Sequence, residues 1–369
     1  MSGSALSAKE LALSLATVLI GAGTTTQVAI NSAVGAHFHI RLFAAFLNLG
    51  SGLLLLSVLC GLECLLTPGL PLLRWHRRPS LHHLLPGLCG LAYVLASVFL
   101  LQHLGSSLFM VLIVAGQLLC AAALDHTGVG RAEPKPLTPL RALALAAGMG
   151  GACLSASASF TAPASAGASA SPPWLLALSA VATFCVGCVM VVQAVLSRMA
   201  AELLPSRLAA TWWSFAVSGS AAGLLFALQW ALSAPADTAA FLAPGTWRSS
   251  AGFMYTAALF GVAYIASSIF IPPHTSSQAF FVCLVAGQLA FSIAVDSFGL
   301  LLRPHKAIEW QEGVGVGVVL LAALLMALPG ELCGQAITLV KEAPAVYAEL
   351  SLSELGERLV GEREPAALE

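Results

Sequence analysis

The string Val114-Ala115-Gly116-Gln117-Leu118 is written twice in this chain, the second time as Val285-Ala286-Gly287-Gln288-Leu289. An aspartate follows each copy at the same distance, Asp125 after the first and Asp296 after the second. The common register is wider than the string. Residues 90–128 lie on residues 261–299 without a gap, at an offset of 171 and with 17 identities in 39 positions. Tyr93/Tyr264, Ser97/Ser268, Phe99/Phe270, His103/His274 and Phe109/Phe280 are among the matches. Earlier segments match at an offset of 166, as in Gly21/Gly187, Gln27/Gln193, Arg41/Arg207 and Ala44/Ala210. One structural unit is therefore built twice.

Composition decides the solvent. Of 369 residues 58% are hydrophobic and 9% charged, and the mean hydropathy is +0.89. A soluble domain carries about 25% charged residues, so this chain cannot cover its own surface in water. A polytopic membrane protein is expected. The net charge of −1 comes with no basic stripe, which argues against a nucleic-acid partner. Cys185 and Cys188 have the spacing of a redox or zinc pair, but they sit in a hydrophobic stretch without histidine or acidic neighbours. Packing is the better reading.

Taken in order, the apolar runs predict ten helical spans, five per repeat. The first half holds Leu11 to Ala33, Leu42 to Leu66, Leu84 to Gln102, Ser106 to Leu124 and Ala142 to Ser159. The second holds Trp174 to Ser197, Leu208 to Leu232, Gly252 to Ile271, Ser277 to Val295 and Gly313 to Leu328. Only His103, Leu104 and Gly105 separate spans three and four, which predicts a tight helical hairpin. The domain plan is a repeat over 1–160, an Ala/Ser/Pro-rich linker over 161–173, a repeat over 174–330 and a polar cytoplasmic tail over 331–369.

Loop charge gives the orientation. With the amino terminus, the even-numbered connections and the tail on one side, that side carries twelve Lys and Arg against four on the other. Both termini are then cytoplasmic. An odd number of spans per repeat makes the second repeat start from the opposite face, so the halves are expected to be inverted. The fold class is an all-α membrane protein of ten helices in two inverted five-helix repeats.

Val114 to Gly128, with its Val-Ala-Gly-Gln-Leu-Leu and Leu-Asp-His-Thr-Gly elements, resembles the signature of the YdcZ-type family of the drug/metabolite transporter superfamily. Gly21, Gln27 and Asn31 in span one, and Tyr93 to Phe99 in span three, also resemble it. The chain looks like two family units fused in tandem, the first being the closer match. The second departs at Ser197 in place of Asn31, at Ser297 in place of His126, and at Pro272-Pro273 in place of Leu101-Gln102. The resemblance implies a transporter fold that exports small metabolites or drugs, and it supplies no substrate.

Polar groups in a bilayer need partners, so the intramembrane ones are the candidate site. Gln27, Asn31, Gln117, Gln193, Gln288, Tyr93 and Tyr264 are candidates for the substrate path, with plain interhelical bonding as the alternative. Gln117-Ala121-Asp125 and Gln288-Ser292-Asp296 fall on single helix faces at i, i+4, i+8. Asp125, Asp296, His103 and His274 are candidates for coupling or gating; interfacial ion pairing for the aspartates and turn capping for the histidines are the bland readings. Small residues at Gly219-x-x-x-Gly223 and Gly313-x-x-x-Gly317 suit close helix packing, within the monomer or in a homodimer.

No metal cluster, phosphate loop or nucleotide motif is present, so no cofactor is expected. The partners expected are a small-molecule solute and membrane lipid. The sequence reading is a gradient-driven carrier working by alternating access. A non-transporting scaffold or regulatory subunit is the alternative; an intramembrane enzyme would need a nucleophile–base pair or metal triad that the sequence does not display.

Overall fold

The computed structural model describes residues 8–67, 81–128, 138–161, 172–275, 277–302, 305 and 307–327. The arginine-rich connection around Arg74, most of the expected linker, and the polar tail with its expected helix at Tyr347 to Val360 lie outside the described residues.

The first half begins with α1 (Ala8–His37) and α2 (Leu42–Leu66), followed by α3 (Leu85–Phe99), the single turn α4 (Leu101–Leu104), α5 (Ser106–Thr127) and α6 (Pro139–Thr161). The second half repeats the plan with α7 (Pro173–Ala201) and α8 (Arg207–Leu232). It then inserts α9 (Pro235–Leu242) and α10 (Pro244–Arg248), and resumes with α11 (Ala257–Phe270), α12 (Ser277–Phe298) and α13 (Trp310–Ala327). Among the described residues, nine helices are long and apolar enough to cross a membrane, and Trp310–Leu325 is a shorter apolar helix at the tenth expected position.

The turn between α3 and α5 forms where the sequence placed it, but the expected hairpin does not, because the two helices pack on other partners, α3 on α7 and α8 and α5 on α7 and α12. Gly105 has φ +77°, a conformation that side chains with a Cβ avoid, and it lets α4 turn directly into α5. In the second half Pro272 and Pro273 cannot continue the hydrogen-bond ladder. Helix α11 ends at Phe270, and His274 N closes a turn on Ile271 O at 2.9 Å.

Matched helices trade partners between the halves. Helix α1 lies along α12, and its counterpart α7 lies along α5, the counterpart of α12. Helix α3 packs on α7 and α8; α11 packs on α1 and α2. The core is thus made between the repeats. Helices α2 and α8 run antiparallel. Leu42 N donates to Gln229 Oε1, Trp212 Nε1 donates to Ser57 Oγ, and Ser206 Oγ donates to Glu63 Oε2, so positions ascend on one helix as they descend on the other.

Glycine makes the closest crossings possible. A Cβ on Gly287 would fall 2.9 Å from Ala22 N, and one on Gly116 would fall 3.0 Å from Cys188 N. A Cβ on Gly21 would overlap Leu284 O, and one on Gly187 would overlap Ile113 O. These are the same contact made twice, and both glycines immediately before the repeated glutamines belong to it. The Gly313 and Gly317 pair makes no close helix crossing among the described residues of the chain. Nothing lies within 4 Å of a Cβ on Gly317, whereas Gly315 and Gly151 meet closely, Gly151 O lying 2.5 Å from a Cβ on Gly315. The packed face of α13 is therefore offset by two residues from the motif, and the motif itself faces outward.

Short helices α9 and α10, which the sequence reading passed over as connection, close one end of the molecule. Phe241 packs edge-on to Phe43 and Trp247, and Trp247 Nε1 donates to Phe241 O at 2.8 Å. Thr246 O lies 2.9 Å from His37 Nε2 at the end of α1. Phe38, Phe43 and Met254 complete this second apolar cluster.

Candidate functional site

Between the halves lies a small cavity of about 20 Å³ lined in matched pairs by Gln27 and Gln193, Tyr93 and Tyr264, and Gly90 and Gly261. The pairing follows from the exchange of helices. Gln27 on α1 lies over Gly261 on α11, whose Cβ would sit 2.7 Å from Gln27 Nε2; Gln193 on α7 lies over Gly90 on α3, at 2.8 Å. Each glycine makes room for the other half's carboxamide.

These groups are uncommitted. No described residue holds the side chain of Gln27 or Gln193 by a hydrogen bond, and the buried Tyr264 hydroxyl has no partner. Tyr93 OH makes one long bond of 3.3 Å to Thr24 O. A carboxamide offers two donors and an acceptor, a phenol one donor and acceptor sites, so the cavity presents both polarities without a formal charge. A volume this size admits about one water.

The other expected path residues lie at helix contacts. Asn31 accepts from Asn48 Nδ2 at 2.9 Å and donates to Ser97 Oγ at 2.9 Å, a buried chain joining α1, α2 and α3. The second half has Ser197, Ser214 and Ser268 at these positions, so its hydroxyls replace both amides. Gln288 Nε2 donates to Thr24 Oγ1 at 3.2 Å, and Gln288 O accepts from Thr25 Oγ1 at 3.1 Å. Gln117 Nε2 lies 3.6 Å from Met190 Sδ, and Met190 is the counterpart of Thr24. Both glutamines are buried, and each Oε1 is without a partner among the described residues.

Asp296 is buried. Its carboxylate accepts from Ser106 N at 3.2 Å and Ser107 N at 2.7 Å, at the start of α5 in the other half. A helix amino terminus has unsatisfied N–H groups and a positive dipole end, which favour a carboxylate there. Asp125 lies in the last turns of α5, with its side chain outside the described residues. Arg303, seven residues after Asp296 in the sequence, lies outside them too.

His103 sits in the turn α4, with its Nε2 3.3 Å from Gln102 Nε2. Partial burial and then the Arg41 charge lower its pKa from the ordinary value. His274 is exposed at the matching turn.

Thr24, Asn48, Phe215 and the buried Glu312 in the first turn of α13 were not among the site candidates the sequence offered. The first three have signals visible only after alignment of the halves, through their counterparts Met190, Ser214 and Leu49. Among the described residues no group of His, Cys, Asp and Glu could hold a metal ion, and Cys185 and Cys188 are both free thiols.

A family model described as "Putative inner membrane exporter, YdcZ" matches the chain twice, over residues 12–154 and 178–325. The chain belongs to this family. Two matches in tandem mean that this YdcZ protein is a fusion of two family units, with the cavity at their mutual interface. Among solved structures, a chain described only as "Crystal structure of protein" shares 14% identity with it at a TM-score of 0.51. That likeness covers 86% of this chain and 96% of the other, and it is one of fold alone. No match is found among curated proteins. The protein is a multi-pass helical membrane protein of an exporter family.

Proposed function

We propose that this protein is a secondary transporter that carries a small, uncharged, hydrogen-bonding organic solute through the cavity between its repeats. One observation carries the reading: Gln27 and Gln193, from opposite halves, converge on one cavity with carboxamides that no described residue holds. Unpaired polar groups in an apolar interior cost free energy, and a solute or water that pairs with them recovers it.

In this reading the molecule is a ten-span carrier of two inverted five-span repeats, with both termini in the cytoplasm and export as its direction. The antiparallel packing of α2 on α8 supports the inversion, because equivalent helices of inverted repeats must run oppositely. A small cavity lined by polar groups of both repeats supports a path between them in an alternating-access cycle. Gln117, Gln288 and Asn31 then act as interhelical bonding groups beside the path. Asp296 and its counterpart Asp125, with His103 and His274, stand at helix ends and turns where gating would act.

The test is uptake or efflux of labelled neutral metabolites in proteoliposomes. Gln27→Leu and Gln193→Leu remove donors and acceptors while keeping bulk. The expected loss is about 1–3 kcal/mol of solute binding per site, seen as weaker apparent affinity with normal insertion. Wild-type affinity in the double variant would refute the cavity as the site.

A further inference from the structure

The cavity is built by symmetry, and residues of α2 and α8 break that symmetry. Superposing the halves by their offsets puts Leu49 of α2 opposite Phe215 of α8, and both line the cavity. Their neighbours one turn away break it in the opposite sense: Gly52 in the first half stands where Ser218 stands in the second. The two differences are one device. Helices α2 and α8 are antiparallel, so Phe215 reaches across to Gly52, where a Cβ would fall 2.7 Å from Phe215 Cδ1 and would overlap Cε1. The large side chain needs the missing one.

The ring does not stop at Gly52. Phe215 Cζ also lies 3.5 Å from where a Cβ on Gly261 would be, beside the Gln27 carboxamide. Phe215 is buried and lines the cavity with Gln27. Leu49, at the equivalent position of the first half, is shorter and also lines the cavity. The first-half carboxamide therefore has a phenylalanine ring beside it, and the matching position of the other half carries a leucine.

We propose that Phe215, seated against Gly52, sets the size of solute this protein accepts and makes the two halves of its site unequal. The proposal rests on the reading of the central cavity as the solute site. A solute must displace or stack on this ring to reach Gln27. A flat unsaturated group suits the aromatic face, and its polar end then meets the carboxamide. The substrate class is a neutral solute with an amide-like or hydroxyl end and a planar body.

Two substitutions move the ring's space in opposite directions. Phe215→Ala removes the ring and enlarges the cavity. Gly52→Ala puts a methyl into the ring's seat and drives the ring toward the cavity. The probes are acetamide, benzamide and 2-naphthamide, which share one polar end on bodies of increasing size. The measurement is the shift in unfolding temperature that each causes in purified protein, always relative to the same variant without probe.

Phe215→Ala should move the amide giving the largest shift toward 2-naphthamide, and Gly52→Ala should move it toward acetamide. Gly52→Ala in the Phe215→Ala background should have no effect on the order of sizes. The same order of sizes in wild type and Phe215→Ala, or no shift with any amide in the enlarged variant, would overturn the proposal. Shifts that survive Gln27→Leu with Gln193→Leu would instead overturn the cavity as the solute site. The two failures are thereby distinguishable.

Discussion

Asp296 near the end of α12 accepts a 2.7 Å hydrogen bond from Ser107 N at the start of α5, so a carboxylate of one repeat caps a helix of the other. This contact fixes the end of one repeated element on the beginning of its own counterpart. Removing it leaves buried N–H groups with no acceptor. Asp296→Ala should cost about 0.5–2 kcal/mol, the range for loss of a helix cap, read as a lower unfolding temperature in detergent. Asp296→Asn keeps one acceptor oxygen and should lose less. Equal losses in the two variants would deny the cap any part in stability.

The doubled glycine crossing gives a sharper contrast. Gly116→Ala and Gly287→Ala would press a methyl onto backbone atoms of α7 and α1, which cannot swing away. Overpacking of this kind costs about 1–3 kcal/mol. Gly317→Ala, where nothing lies within 4 Å, should stay within about 0.5 kcal/mol of wild type. Thermal unfolding of the three variants side by side settles the matter, and a loss at Gly317 as large as at Gly116 would contradict the packing described.

Inversion of the halves has a topological test. His39 in the connection between α1 and α2, and Glu202 in the connection between α7 and α8, are both exposed and occupy matched parts of the two repeats. In a background without the nine native cysteines, His39→Cys should react with an impermeant thiol reagent only from outside. Glu202→Cys should react only from the cytoplasm. Labelling of both from one face would mean parallel repeats.

His103 gives a pH dependence whose sign is fixed by its surroundings. Partial burial and the nearby Arg41 charge disfavour the imidazolium, so the folded pKa lies below the ordinary 6.5. Between the folded and unfolded values the unfolded chain binds more protons, and stability rises with pH there. The stability His103 contributes is therefore present above about pH 6.5 and is lost as pH falls through the lower folded value. His103→Gln should flatten that part of the curve of unfolding temperature against pH. A flatter pH profile of transport in the same variant would tie the residue to coupling; an unchanged one would leave it as a turn residue.

The sequence by itself determined the membrane class, the duplication and the positions of the apolar helices, because each is written in local composition or in self-similarity. It also displayed the family signature around Gln117. Which polar residues meet was decided only by tertiary structure. Helices in this protein are apolar on nearly every face, since lipid and protein interior are alike in polarity. Hydrophobic periodicity therefore says little about which face is buried. Gln27 and Gln117 look equivalent in sequence, yet Gln27 opens on the cavity while Gln117 is closed in beside Met190. What separates them is how each helix meets the other repeat, where Gly116 and Gly287 lie against backbone more than 65 residues away in sequence on one side and more than 260 on the other. Gly52 and Phe215 carry the same lesson: a missing Cβ acquires meaning only when a ring from the opposite repeat fills its place.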